Sequence, residues 1–137
     1  MEIIQPSKEY HNSSHCIYSC LYHVIFCTKY RRKVLSDNIQ VRLKELVTEK
    51  QIQYKYSIIE IETMEDHVHL LLDVDPKFGI YKVVSSIKGY TSNSLRKEFS
   101  ELRSKLPTLW TRGKFISSVG SVSLETVKKY IEKQKNV

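Results

Sequence analysis

Two histidines separated by one valine, His67 and His69, have a spacing that suggests chemistry. They open the segment His67 to Val74, whose apolar and β-branched residues predict a strand. Alternate side chains of a strand point to opposite faces, so both imidazoles lie on one face and the aliphatic residues that alternate with them lie on the other. Such a pair can hold one cation or one phosphate. Half-exposed histidines on the open face of a sheet fit the same spacing.

A second candidate lies near the C-terminus in the segment SLETVKKYIEKQ, which predicts a helix that begins at Ser123. Tyr130 and Gln134 are spaced i and i+4, so they lie one above the other on a helix. A phenol with its ordinary pKa of about 10 is a weak nucleophile, but an adjacent base or a metal ion near the reacting phosphate can activate it. The spacing also fits a tyrosine that only packs an amphipathic face beside Val127 and Ile131.

The elements that must position these residues are predicted from hydrophobic periodicity and turn signals. Their order is strand, helix, strand, strand, helix, strand and a final helix. The predicted ranges are about Ile17 to Tyr30, Asp37 to Gln51, Tyr54 to Thr63, His67 to Val74, Ile80 to Phe99, Lys114 to Gly120, and from Ser123 onward. This is the split βαβ pattern of an α+β, ferredoxin-like (RRM-like) antiparallel sheet with helices on one face, plus a C-terminal helix that carries the tyrosine.

The chain is predicted to form a single domain over residues 1–137, with a polar leader at 1–15 and the final helix and tail at 123–137. Its 22 Lys and Arg against 15 Asp and Glu give a net charge of +7, which favours a polyanionic partner such as nucleic acid.

A basic cluster follows the first predicted strand and is the first candidate for DNA contacts, although solvated surface charge fits it too. It consists of Lys29, Tyr30, Arg31, Arg32 and Lys33, with Tyr30 able to stack on an unpaired base. Further basic candidates are Lys88, Arg96, Arg103, Arg112 and Lys114.

The three cysteines are an odd number and contain no C-x-x-C pair, so no disulfide framework is predicted and a reducing cytoplasm is expected. The stretch HCIYSCLYH could offer His15, Cys16, Cys20 and His23 to zinc, but its interleaved apolar residues favour a strand. No apolar run approaches the roughly 18 residues of a membrane span, so no membrane partner is expected.

The segments YHVIFCTKYRRKVL, MEDHVHLLLDVD, LPTLW and VGSVSLETVKKYIEKQ together closely resemble the small HUH-type single-tyrosine transposases of insertion sequences, often called TnpA-like. The resemblance runs from about Tyr18 to Gln134. It implies a metal-dependent transposase that cleaves and rejoins single-stranded DNA at insertion-sequence ends through a 5′-phosphotyrosine intermediate. A non-catalytic or domesticated protein that binds single-stranded or hairpin nucleic acid remains the alternative.

The resemblance also implies roles for individual residues. His67 and His69 correspond to the ligands of one divalent metal, with the side-chain oxygen of Gln134 as the third ligand, and Tyr130 corresponds to the nucleophile. The metal implied is Mg²⁺ or Mn²⁺, although paired imidazoles by themselves favour softer ions. The implied partners are single-stranded DNA with hairpins at the element ends and a second copy of the chain. The sequence does not decide whether Tyr130 acts in its own subunit or in its partner.

Gly120 precedes the tyrosine helix and is a candidate hinge, because glycine tolerates backbone angles that other residues avoid. A simple turn glycine fits the same position.

Overall fold

A four-stranded antiparallel sheet organises the fold in the computed structural model, which describes residues 11–12, 17–18, 20–119 and 124–136. The strands are β1 His11–Asn12, β2 Ile17–Tyr18, β3 Leu21–Cys27, β4 Tyr56–Thr63, β5 His67–Val74 and β6 Phe115–Ser118. The helices are α1 Asp37–Glu49, α2 Ile80–Glu98, α3 Ser100–Lys105 and α4 Leu124–Lys133.

The main sheet has the strand order β4-β5-β3-β6, and each neighbouring pair is antiparallel. The connection from Met64 to Asp66 joins β4 to β5 as a tight hairpin, with the backbone N–H of Met64 donating to the carbonyl of His67 at 3.0 Å. Because β3 pairs with β5 and β6 rather than with β4, the chain makes two crossovers through α1 and α2. This is the ferredoxin-like arrangement, and it confirms the predicted fold class.

The main core lies between one face of this sheet and helices α1 to α3. Helical spacing of apolar residues decides which side of each helix is buried. The buried positions are Ile39, Leu43, Leu46 and Val47 in α1, and Val83, Val84, Ile87, Thr91 and Leu95 in α2. From β5 the same core receives the aliphatic face predicted above, and from the loop before β6 it receives Trp110, whose ring meets Phe26 edge to face at 4.7 Å.

The first predicted strand is shorter and divided. Ile17–Tyr18 pairs with His11–Asn12 in a separate two-stranded sheet, so part of the predicted leader is a strand. β3 ends at Cys27 because the chain turns there: Lys29–Arg31 forms a 3-10 turn in which Tyr30 and Arg31 have φ values of 56° and 51°. The basic cluster therefore lies on a strained turn after the strand. The short helix α3 was not predicted, and α4 ends at Lys133 with Gln134 in a following 3-10 turn.

Helix α4 covers the opposite face of the sheet. Its residues Tyr130 and Ile131 pack with Phe115 against Ile25 and Cys27, which are fully buried. The sheet is thus covered by helices on both sides, with α4 on the face of β5 that carries the histidines. No helix among the described residues is long and apolar enough to cross a membrane.

Candidate active site

The two histidines and the tyrosine helix share one face of the sheet. His67 pairs across the ladder with Cys27, and His69 pairs with Ile25. Directly paired residues of an antiparallel ladder point to the same face. The side chains of His67 and His69 are 17% and 13% exposed, so both lie within the surface of this face rather than free in solvent.

His67 is held by the acidic residue that precedes it. Its Nδ1 donates to Oδ1 of Asp66 at 2.8 Å, whereas its Nε2 has no hydrogen-bond partner among the described residues. Burial alone would raise the pKa of Asp66, but hydrogen bonds from His67 and Arg31 hold this pKa below its ordinary value. Asp66 is therefore an ionised acceptor. A histidine whose second nitrogen donates to a carboxylate has the arrangement found at metal-bound imidazoles.

His69 has a different set of neighbours. Its Nε2 lies 3.3 Å from Nδ1 of His23, and its Nδ1 lies 3.8 Å from Oε2 of Glu62. Burial, and then the proximity of His23, lowers the pKa of His69, and burial likewise lowers the pKa of His23. Both rings are thus favoured in the neutral form that can bind a metal.

His23 was not predicted to lie beside His69. The signal available in the sequence was the alternation of β3, which puts His23, Ile25 and Cys27 on one face, but that alternation does not reveal which residue of β5 stands opposite each of them. Within the described part of the chain, no group of three or more His, Cys, Asp or Glu side chains is arranged to hold a metal. His15 and Cys16 of the zinc alternative lie outside the described residues.

Tyr130 lies in a closed environment on this face. Its ring is 5.1 Å from that of Phe115, and its hydroxyl is buried with no hydrogen-bond partner among the described residues. Burial, with a smaller effect from the Cys27 thiol, raises the pKa of Tyr130 well above its ordinary value. In this docked position the phenol stays protonated at neutral pH.

Gln134 lies in the 3-10 turn that follows α4, and its side chain approaches the same glycine as the tyrosine hydroxyl. Its side chain is buried, and its Oε1 accepts from Oγ1 of Thr111 at 3.5 Å. A Cβ placed on Gly113 would lie 3.6 Å from Oη of Tyr130 and 3.7 Å from Oε1 of Gln134. The hydroxyl of Tyr130 and the amide oxygen of Gln134 therefore both approach the turn Thr111–Gly113.

Lys88 on α2 binds the backbone of the turn Thr111–Gly113. Its Nζ donates to the carbonyls of Thr111, Arg112 and Gly113 at 2.6, 3.3 and 3.1 Å. Burial, with help from the nearby Lys114, lowers the pKa of Lys88 to about 8. The sequence offered Lys88 only as one of several basic candidates for DNA, because its carbonyl partners lie more than twenty residues away.

Within the basic cluster, one residue differs from the rest. Tyr30 is 47% exposed and Arg32 and Lys33 are exposed, whereas the side chain of Arg31 is only 16% exposed. Nε of Arg31 donates to Oδ2 of Asp66 at 2.8 Å, and its Nη1 donates to the carbonyl of Ile131 at 3.1 Å. Lys29 lies with its Nζ 5.0 Å from the centre of the Tyr30 ring. Gly120, the candidate hinge, lies outside the described residues.

Comparison with known proteins identifies the family. A family model described as "Transposase IS200 like" matches residues 16–134. The ISDra2 transposase TnpA of Deinococcus radiodurans is 33% identical over 120 residues, which cover 86% of each chain. The transposase of insertion sequence element IS200 from Salmonella typhimurium is 30% identical over 124 residues, covering 88% of this chain and 80% of that protein.

Solved structures agree in fold. A 1.90 Å crystal structure described as a transposase of Deinococcus radiodurans R1 superposes with a TM-score of 0.84 at 29% identity, over 93% of this chain and 99% of that one. A REP-associated tyrosine transposase bound to a REP hairpin has a TM-score of 0.56 at 10% identity, over 88% and 69%, which shows a shared fold. Since the family model and the relatives span most of the chain, this protein belongs to the family of IS200-like transposases.

Proposed function

We propose that this transposase cleaves and rejoins single-stranded DNA at the ends of an insertion sequence, through a 5′-phosphotyrosine intermediate formed on Tyr130 and with one divalent metal. One observation carries the proposal: the tyrosine helix packs on Ile25 and Cys27, the residues that pair directly with His69 and His67. Tyr130 and the two histidines therefore lie on the same face of the sheet, although they are far apart in sequence.

The donor set fits a divalent metal. His67 offers Nε2 while its Nδ1 is fixed by Asp66, and His69 is favoured in the neutral form. The amide oxygen of Gln134 would be the third ligand, and as an oxygen donor it suits Mg²⁺ or Mn²⁺ better than a third imidazole does. When bound, the metal would polarise the scissile phosphate and stabilise negative charge on the departing oxygen.

The covalent steps use the phenol of Tyr130. Its oxygen bonds to the phosphorus while its proton passes to water, the bond from phosphorus to the 3′-oxygen breaks, and that oxygen is protonated. The 5′-phosphate stays on the tyrosine. In the joining step a new 3′-hydroxyl attacks the same phosphorus and gives its proton to water, while the bond from phosphorus to the tyrosine oxygen breaks and the departing phenolate is protonated. One phosphodiester is exchanged for another, so the cycle needs no ATP.

The docked position of Tyr130 is a resting position in this proposal. A buried phenol that has a raised pKa and no hydrogen-bond partner among the described residues is not placed to attack a phosphate in solvent-accessible DNA. The helix must shift to bring the hydroxyl to the substrate, either on its own subunit or on a partner. A homodimer in which α4 completes the other subunit's site remains part of the proposal.

The substrate contacts in this proposal come from the members of the basic cluster other than Arg31: Lys29, which is half-buried, and Tyr30, Arg32 and Lys33, which are exposed. The turn that carries them follows β3 directly, beside the end of the strand that pairs with His67. A DNA strand bound there would reach the histidines without leaving the surface. Arg31 is considered separately below.

The proposal is tested by trapping the covalent intermediate. The protein is incubated with single-stranded DNA carrying the hairpins of the element ends, in Mg²⁺, in Mn²⁺ and in EDTA, and the products are separated on denaturing gels. We expect a protein–DNA adduct with either metal and none in EDTA. Tyr130→Phe should form no adduct, whereas Tyr81→Phe, which alters an exposed tyrosine of α2, should form it normally. Hairpin binding without any adduct would overturn the proposal in favour of a non-catalytic binding protein.

A further inference from the structure

The carboxylate of Asp66 serves two partners at once. Oδ1 accepts from Nδ1 of His67 and Oδ2 accepts from Nε of Arg31, each at 2.8 Å. The backbone of Asp66 is fixed as well, because its carbonyl accepts from the N–H of Thr28 at 3.0 Å and from the hydroxyl of Thr28 at 3.3 Å. A carboxylate held in this way can orient the imidazole ring of His67.

The other end of the Arg31 guanidinium reaches the tyrosine helix. Nη1 donates to the carbonyl of Ile131 at 3.1 Å and lies 3.5 Å from the carboxylate of Glu132. Ile131 is in the last turn of α4, where the helix dipole favours a positive charge. Arg31 therefore binds the residue that follows Tyr130 in the chain.

The backbone that presents Arg31 is strained. Tyr30 and Arg31 both have left-handed φ values, a backbone conformation that residues other than glycine rarely adopt. Such strain persists only where surrounding contacts impose it, and it occurs often at functional sites. The contacts of Arg31 with Asp66 and α4 are the interactions that its side chain makes in this conformation, while its neighbour Arg32 points into solvent.

We propose that Arg31 and Asp66 are a positioning pair that couples the orientation of His67 to the docking of the tyrosine helix. Arg31 acts through Asp66 on His67 and through Ile131 on α4, so one side chain links both halves of the site. This inference rests on the proposed function, because it takes His67 as a metal ligand. It also removes Arg31 from the residues expected to bind DNA.

The test compares Arg31→Gln with Arg32→Gln, since both remove one positive charge from the same turn. Mn²⁺ affinity is measured without DNA by electron paramagnetic resonance of the free ion, and hairpin affinity is measured separately. We expect Arg31→Gln to weaken Mn²⁺ binding about 10-fold or more, the usual effect of losing a group that orients a ligand, and to change hairpin affinity by less than about 2-fold. Arg32→Gln should weaken hairpin binding and leave Mn²⁺ affinity unchanged. Asp66→Asn should resemble Arg31→Gln in Mn²⁺ binding.

Arg31→Lys separates the two contacts. A single ammonium can keep the ion pair with Asp66 but lacks the planar fork that reaches Asp66 and the Ile131 carbonyl together. Arg31→Lys should therefore recover most of the Mn²⁺ affinity that Arg31→Gln loses. Its helix α4 should remain less firmly docked than in the wild type, and faster alkylation of Cys27 beneath the helix would report this. Thermal denaturation establishes that each variant is folded.

Two results would overturn the inference. If Arg31→Gln binds Mn²⁺ as the wild type does while hairpin binding falls as in Arg32→Gln, then Arg31 is an ordinary DNA contact. His67→Ala in the same titration tests the metal site itself. If this variant also leaves Mn²⁺ affinity unchanged, the metal site of the proposed function is wrong as well. Loss of binding in His67→Ala with no change in Arg31→Gln overturns only the coupling.

Discussion

The two histidines differ in what holds them, although the sequence makes them look equivalent. His67 donates to a carboxylate that is itself fixed by Arg31, whereas His69 contacts another imidazole, that of His23. The first arrangement keeps Nε2 of His67 available. In the second, Nε2 of His69 lies against His23, so the metal proposed above would have to displace His23 if it used this nitrogen.

Replacing either histidine with alanine tests their shared role. We expect His67→Ala and His69→Ala each to slow formation of the covalent adduct by on the order of 100-fold or more, because metal stabilisation of a phosphoryl transition state is worth several kcal/mol. Affinity for hairpin DNA, measured by gel shift, should stay within about 2-fold because neither residue lies in the basic cluster. Adduct formation at the wild-type rate in both variants would exclude a metal site at these residues.

At the scale of elements, the docking of α4 is the feature on which the site depends. Tyr130 and Ile131 cover Cys27, which is fully buried. Burial, and next the negative charge of Asp66, raises the pKa of the Cys27 thiol to about 11. A thiol is alkylated through its thiolate, so both the covering helix and the raised pKa protect Cys27.

Alkylation of Cys27 should therefore report whether the helix is docked in solution. At pH 8 a thiol of pKa about 11 has roughly one thiolate in a thousand, against roughly one in ten for a pKa of 9.0. We expect iodoacetamide to label Cys27 at least about 50-fold more slowly in the native protein than in urea, as measured by peptide mass spectrometry.

The matched variants for this measurement lie on α4 itself. Ile131→Asp places a charge under the helix and should raise the labelling rate of Cys27, whereas Lys129→Asp alters an exposed position and should leave it unchanged. Labelling of the native wild type as fast as the unfolded chain would show that α4 does not rest on this face.

The elements predicted best from sequence are those with strong, unbroken periodicity. The bounds of β5 are those predicted, and the helices at Asp37–Glu49 and Ile80–Glu98 end within two residues of the predictions, because their apolar spacing is regular. The first strand was predicted too long, since aromatic and β-branched residues continue through Tyr30 while the chain turns at Tyr30 and Arg31. Residues other than glycine rarely adopt a left-handed backbone, so the types Tyr30 and Arg31 gave no sign of this turn.

For the candidate site, the sequence placed the histidines on the face away from the main core and put Tyr130 and Gln134 together. Both inferences needed only the local geometry of a strand or a helix. The neighbours that hold these residues come from cross-strand register and long-range packing: His23 beside His69, Lys88 behind Gly113, and Arg31 between Asp66 and Ile131. Residue types cannot specify such pairings until the register of β3 on β5 is known.

At the scale of the whole molecule, basic residues that could contact DNA phosphates must be distinguished from those that contribute only to the net positive charge. A net charge of +7 attracts any polyanion. Some basic residues are committed to the protein itself, as Lys88 is to three carbonyls and Arg31 is to Asp66 and α4. Arg32 and Lys33, on the turn beside the histidine face, remain exposed.

Salt dependence distinguishes true phosphate contacts from background charge. The logarithm of the binding constant falls with the logarithm of salt concentration, with a slope of roughly 0.7 per phosphate neutralised on a single strand and 0.9 on a duplex. If Arg32 and Lys33 each neutralise one phosphate, Arg32→Gln and Lys33→Gln should each reduce the slope by about 0.7 to 0.9. Lys44→Gln removes the same charge from the exposed side of α1 and should leave the slope unchanged. Equal slopes in all three variants would mean that the basic turn attracts DNA only through net charge, and the DNA path across the histidine face would have to be abandoned.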